Sequence, residues 1–155
     1  LSHSIIICLS ALLPPGFTMC DTPYLTASSM LSENGISYVA DWVIDDQPQD
    51  LIVNTGKRML ALPYTVEMND VTISAVQNHK SDEIYERGKS QFDQLYKESK
   101  ETTKIMAISV HPYLTGVPHR INYLNQLLDY ILKNKDVEFM TGEQINNWYC
   151  KEVKS

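Results

Sequence analysis

Histidine is the side chain that exchanges a proton near neutral pH, and this sequence carries four: His3, His79, His111 and His119. His111 stands where chemistry is easiest to build. It follows the apolar run KIMAISV (Lys104–Val110) and is held by Pro112. A nearly continuous apolar run predicts a strand covered on both faces, which leaves the imidazole at the strand's carboxyl end, partly out of water. General acid/base catalysis requires such a group. Two readings stay open on the residues alone: an acid or base, and a histidine whose ring nitrogens are satisfied by backbone groups.

Ligands of α/β proteins bind at the carboxyl ends of the strands, and other predicted strand ends here are also polar or aromatic. Asp41 and Trp42 follow Ile36–Ala40, with Asp45 and Asp46 next. Tyr64 follows Met59–Leu62 and Pro63, then Glu67, Asn69 and Asp70. Tyr113, Gly116, His119 and Arg120 come shortly after His111. The opposite ends carry loop residues such as Asn34, Gly35, Asn134 and Lys135. Asp41-Trp42 fits a carboxylate orienting a catalytic group beside an aromatic wall; a capping Asp with a core Trp is the plainer reading. Adjacent Asp45 and Asp46 point opposite ways in extended chain and read as turn residues. Glu67, Asn69 and Asp70 fit a pocket lining or a solvated loop. His119 and Arg120 open a helix, where an anion could be held; packing of Arg120 on a carboxylate is the alternative. His79 is expected at the surface.

Several chemistries are disfavoured. The sequence has no HxxxH, HExxH, GxSxG, P-loop or GxGxxG pattern. Thirteen Lys+Arg against nineteen Asp+Glu give a net charge of -6 and no basic cluster to neutralise phosphates, so nucleic acid is not an expected partner. Cys8, Cys20 and Cys150 are widely spaced and odd in number, which predicts free thiols in a reducing compartment. With 155 residues, 43% hydrophobic and 21% charged, the chain suits one globular domain.

The elements that must position these residues alternate in type. Ile5–Leu13 is too short to cross a bilayer and predicts a buried strand centred on Ile5, Ile6 and Ile7; a mis-joined segment 1–13 ahead of the main segment 14–155 is the rival reading. Thr22-Pro23 starts a helix that ends at Asn34-Gly35. Strands follow at Ile36–Asp41 and Met59–Leu62, separated by a long polar connection. Thr72–Lys80 reads as a helix start or an irregular lid. Ser81 caps a helix reaching about Lys100; after the strand Lys104–Val110, a helix opens at His119-Arg120. Val137–Met140 is the last strand, and Thr141–Gln144 forms a capping box. Strands alternating with helices predict βαβ units around a parallel sheet.

The order of YVADW with DDQP (Tyr38–Trp42, Asp45–Pro48), LPYTVEMND (Leu62–Asp70), SVHPYLTGVPHR (Ser109–Arg120) and TGEQINNWY (Thr141–Tyr149) resembles the C-terminal half of a polysaccharide deacetylase-like (NodB homology) domain, nearest its allantoinase-like branch. The resemblance begins near Pro14, and HPYxxGxPHR is its most distinctive piece. It implies an α/β fold, a partial, distorted (β/α) barrel lacking the early strands. It implies a hydrolase of non-peptide carbon–nitrogen bonds, acting on an N-acetylated sugar or a cyclic ureide. His111 matches the family's late histidine, which protonates the leaving nitrogen; Asp41-Trp42 match its aspartate-tryptophan motif. Trp42, Tyr64, Glu67, Asn69, Asp70, Tyr113, His119 and Arg120 are the expected substrate contacts. The early Asp and HxxxH that hold a divalent metal such as zinc should precede Pro14, and residues 1–13 do not resemble them. This chain is therefore expected to hold no metal ligands of its own, the metal belonging to a full-length protein. The expected partners are a small-molecule or sugar amide and a second copy meeting at exposed apolar edges, not a membrane, and the expected compartment is the cytoplasm. A non-catalytic remnant that binds a ligand or a protein is the alternative function. The catalytic reading requires His111 and Asp41 to face one cavity.

Overall fold

The computed structural model describes residues 4–11, 24–40 and 42–152. The chain forms two compact units: Leu1–Leu12 with Thr65–Met140, and Leu13–Tyr64 with Thr141–Ser155.

The first unit is built on strands β1 (Ile5–Ala11), β5 (Lys104–Val110) and β6 (Val137–Phe139), all parallel in the order β5-β1-β6. The β-branched triplet Ile5, Ile6 and Ile7 forms the buried strand expected of it, fully removed from solvent at the centre of this sheet. β1 pairs along its whole length with β5, Ile7 opposite Met106 and Ala11 opposite Val110. Ile5, Ile7, Met106 and Ile108 share one face and pack against helices α2 (Glu83–Glu98) and α3 (Ile121–Leu132). Phe92 and Leu95 come from α2; Leu124, Leu127 and Ile131 come from α3. Each such side chain fully buried contributes about 1.5–3 kcal/mol. The helices approach closely because position 88 is glycine: a Cβ there would collide with Leu127. β5 is buried from Ile105 through Ser109, both faces included, as its unbroken apolar run predicts.

The second unit holds α1 (Tyr24–Glu33), α4 (Gly142–Glu152) and a short sheet of β2 (Tyr38–Val39), β4 (Met59–Ala61) and β3 (Gln49–Leu51). β2 pairs parallel to β4, and β3 pairs antiparallel to it. α1 ends in a Schellman motif: Ile36 N–H donates to the Leu31 carbonyl, Gly35 N–H to that of Ser32, and Gly35 takes φ +86°. The capping box of α4 forms in both directions, Thr141 N–H to Gln144 Oε1 at 2.8 Å and Gln144 N–H to Thr141 Oγ1 at 3.2 Å.

Three expectations are corrected and one is refined. Among the described residues the strands form two three-stranded sheets rather than one parallel sheet, and the second is mixed because β3, from the polar connection, pairs antiparallel to β4. The strand predicted at Ile36–Asp41 is only Tyr38–Val39 among the described residues, and Ile36 lies exposed beyond the Schellman turn. In Thr72–Lys80, read as a helix start or an irregular lid, a helical turn does form, but of the π type over Val71–Val76, closed by Gln77 N–H donating to the Thr72 carbonyl. Asp82, not Ser81, precedes α2, without a side-chain cap. The predicted helix start at Thr22-Pro23 lies outside the described residues.

Candidate active site

In the first unit, the segment before the π-helical turn runs alongside the end of β5. Ser109 N–H donates to the Met68 carbonyl at 2.8 Å, and Asn69 and Ser109 form a parallel bridge. That register brings Asp70, one residue on, to His111, two residues on. Asp70 is 1% exposed. A buried carboxylate must be compensated by donors, and Asp70 meets three. His111 backbone N–H donates to Oδ2 at 2.7 Å, Thr115 Oγ1–H donates to the same oxygen at 2.6 Å, and His111 Nδ1 lies 2.6 Å from Oδ1.

The HPYLTG sequence shapes the other half of this contact. Leu114 and Thr115 N–H both donate to the His111 carbonyl at 2.9 Å, curling the chain so that the Thr115 hydroxyl returns to Asp70. Position 116 must be glycine, since a Cβ would strike the Pro112 carbonyl oxygen.

Against an ionised carboxylate, which only accepts, the short contact is made by Nδ1–H and leaves Nε2 unengaged by Asp70. A carboxylate that holds a histidine in one tautomer and orientation gives an arrangement capable of acid/base chemistry. The His111 side chain is 19% exposed, so it is not sealed from solvent. His111 thus uses a carboxylate, rather than the backbone groups weighed as the alternative, to satisfy Nδ1.

Other expected site residues spread more widely. The Tyr113 ring lies 5.4 Å from the His111 ring, centroid to centroid, and is 67% exposed. Asn69 turns its Oδ1 back onto Val71 N–H at 2.9 Å. Glu67 is exposed, and its carbonyl accepts from Arg87 Nη1. Arg120 is half-buried; its Nη1 reaches the Leu114 carbonyl at 3.5 Å, not the carboxylate expected of it, and its buried Nε finds no partner among the described residues. His119 and His79 are exposed, His79 lying 4.0 Å from Glu83. In the second unit, Trp42 is exposed and Tyr64 half-buried. Asp41 lies outside the described residues. Thr115 escaped the sequence reading; its only signal was a hydroxyl four positions after His111 in a tight, glycine-closed loop.

No group of three or more His, Cys, Asp or Glu among the described residues could hold a metal ion. Both Asp70 oxygens are already engaged by His111 and Thr115, so these residues do not fit the metal that the resemblance implies.

Parallel strands with helices packed against them, and a histidine hydrogen-bonded to a buried aspartate at one strand end, define an α/β protein, and the chain as a whole is similar to known proteins. The chain is 35% identical over 113 residues to a protein of Schizosaccharomyces pombe provisionally named a polysaccharide deacetylase, a match covering 71% of this chain and 35% of that one. Among solved structures, the Puue allantoinase superposes with TM-score 0.77 at 32% identity, covering 84% of this chain and 44% of the other. A probable polysaccharide deacetylase of Pseudomonas aeruginosa PAO1 follows with TM-score 0.76 at 29% identity over the same shares. A Mycobacterium smegmatis structure, 18% identical with TM-score 0.72, shares the fold. No family model matches. The chain is similar to part of these proteins: it spans 35% of the curated relative's length and 44% of the first two structures.

Proposed function

We propose that the protein hydrolyses a non-peptide carbon–nitrogen bond, with His111 as general acid to the departing nitrogen. One observation carries this reading: Asp70 grips the ring nitrogen and the backbone N–H of His111 with its two oxygens, which aims Nε2 away from the carboxylate. Water adds to the carbonyl carbon and gives up one proton to solvent, and the C–N bond breaks as the imidazolium passes its Nε2 proton to the nitrogen, which leaves as an amine. His111 is thereby left neutral, stabilised in the productive tautomer by Asp70, until a solvent proton restores Nε2–H. The exposed Tyr113 ring beside the imidazole offers an apolar face to a sugar or ureide ring. Trp42, Tyr64, Glu67, Asn69, His119 and Arg120 are proposed as further substrate contacts, and Asp41 as a carboxylate that orients or tunes the site.

The substrate class, an acetamido sugar or a cyclic ureide, follows the names of the deacetylase and allantoinase relatives. The same likeness supports reading residues 14–155 as the C-terminal part of a partial, distorted (β/α) barrel. A zinc-class metal is proposed for the whole protein only; the chemistry assigned to His111 uses none. No helix among the described residues is long and apolar enough to cross a membrane, and the cytoplasm is the proposed compartment.

The test is turnover of an N-acetylated sugar and of a cyclic ureide by the protein carrying this chain. His111→Ala is expected to lower kcat about 10²–10⁴-fold, the range for a lost general acid. Unchanged turnover refutes the role, and ligand binding without any turnover by the unsubstituted protein points to the non-catalytic alternative.

A further inference from the structure

Asp70 is the first half of the acid/base pair, and what holds it in place is not obvious from its own segment. It immediately precedes the π-helical turn Val71–Val76. A single turn forms few hydrogen bonds for the backbone freedom it fixes, and this one is rich in β-branched residues, which resist helical conformation. Ile73 anchors the middle in the core. The ends are held by a side chain from another element.

Arg87, on α2, reaches both ends. Its Nη1 donates to the Glu67 carbonyl at 3.2 Å, before Asp70, and its Nη2 donates to Gln77 Oε1 at 3.0 Å, after the turn. Glu83 Oε1 aligns the guanidinium by accepting from Nε at 3.2 Å and from Nη2 at 3.0 Å. The Arg87 side chain is 21% exposed, so the clasp is partly withdrawn from water. Only a planar fork with several donors can make these bonds together; a lysine supplies one compact charge.

We propose that Arg87 is a positioning residue: by clasping Glu67 and Gln77 onto α2 it sets where the Asp70 carboxylate meets His111. The clasp acts on geometry, not on the reacting atoms, and it rests on the reading of Asp70 and His111 as the acid unit.

The experiment compares Arg87→Ala and Arg87→Lys in the protein carrying this chain, reading kcat, KM and amide hydrogen exchange. The His111 amide is the reporter, because its N–H donates to Asp70 Oδ2. The amides of Met106–Ile108 inside β5 report global opening. Arg87→Ala is expected to lower kcat about 10- to 100-fold with KM unchanged and to speed exchange at His111 while the β5 amides stay protected. Arg87→Lys is expected to fall between. Unchanged exchange at His111, or acceleration shared equally by the β5 amides, overturns the proposal. If Arg87→Ala does not fold, Gln77→Ala removes one arm and must still speed exchange at His111; no change there overturns it equally. Failure of the acid assignment would show separately, as full turnover in His111→Ala, whatever the exchange pattern.

Discussion

Two strand ends that look alike in sequence come out differently in structure. β5 is followed at once by His111 and soon by Tyr113; β2 is followed by Asp41, Trp42 and a pair of aspartates. Beyond β5, a second segment bridges at Ser109 and delivers a buried carboxylate, and one loop closes around it through the ring, a backbone N–H and a hydroxyl. Beyond β2, Trp42, Val43 and Ile44 are exposed, and Asp45 Oδ1 accepts from the N–H of its neighbour Asp46. At the end of β5 the polar residues form a centre because another part of the chain is registered beside them and takes up their hydrogen-bonding capacity. Residue type alone does not separate the two cases.

The sharpest way to break this contrast is to remove the buried carboxylate. Asp70→Ala strands the His111 and Thr115 donors, and urea unfolding is expected to show a loss of about 3–5 kcal/mol, as for a broken buried pair. Trp42→Ala, at the other strand end, should cost about 1 kcal/mol or less. Equal losses would erase the distinction. A smaller effect is expected of the loop that brings Thr115 home: Gly116→Ala pushes a methyl group into the Pro112 carbonyl and should destabilise by about 1–3 kcal/mol, visible as a lower Tm. In the second unit, Thr141→Ala removes one arm of the capping box and should cost about 1 kcal/mol.

Thiol chemistry gives the gentlest comparison. Burial pushes the Cys8 thiol up from its ordinary range, whereas Cys150 is exposed. A raised acid favours the folded state while it stays protonated, so this contribution is complete below the ordinary thiol range, near about pH 8.5, and is lost as pH rises through the raised value. A maleimide reagent at neutral pH should modify Cys150 well before Cys8; the reverse order would contradict the burial of β1.

Much of the architecture was legible because it is local. The apolar run of β5, the Gly35 stop, the capping box at Thr141 and the helical period of Leu124, Leu128 and Ile131 each carry their signal within a few residues, although the fully buried Leu127 was not among the residues that period picked out. β3 was missed because Gln49–Leu51 is polar and short, and its pairing with β4 is a property of the sheet, not of the segment. The π-helical turn was illegible for a related reason: its β-branched residues argue against a helix, and the side chain that clasps its ends comes from α2. At the site, His111 stood out by position. Asp70 appeared only as one of several polar residues after a strand, because a sequence shows no register between segments far apart along the chain. Thr115 needed the same knowledge.

The central claim is that Asp70 and His111 act as one unit, and a double-mutant cycle on turnover tests it most directly. Asp70→Asn and His111→Ala are each expected to lower kcat. Because the carboxylate works through the imidazole, the double variant should be no slower than His111→Ala alone, to within about 2–3-fold. Losses that multiply across the cycle, or a His111→Ala protein that turns over as fast as the parent, would contradict the account.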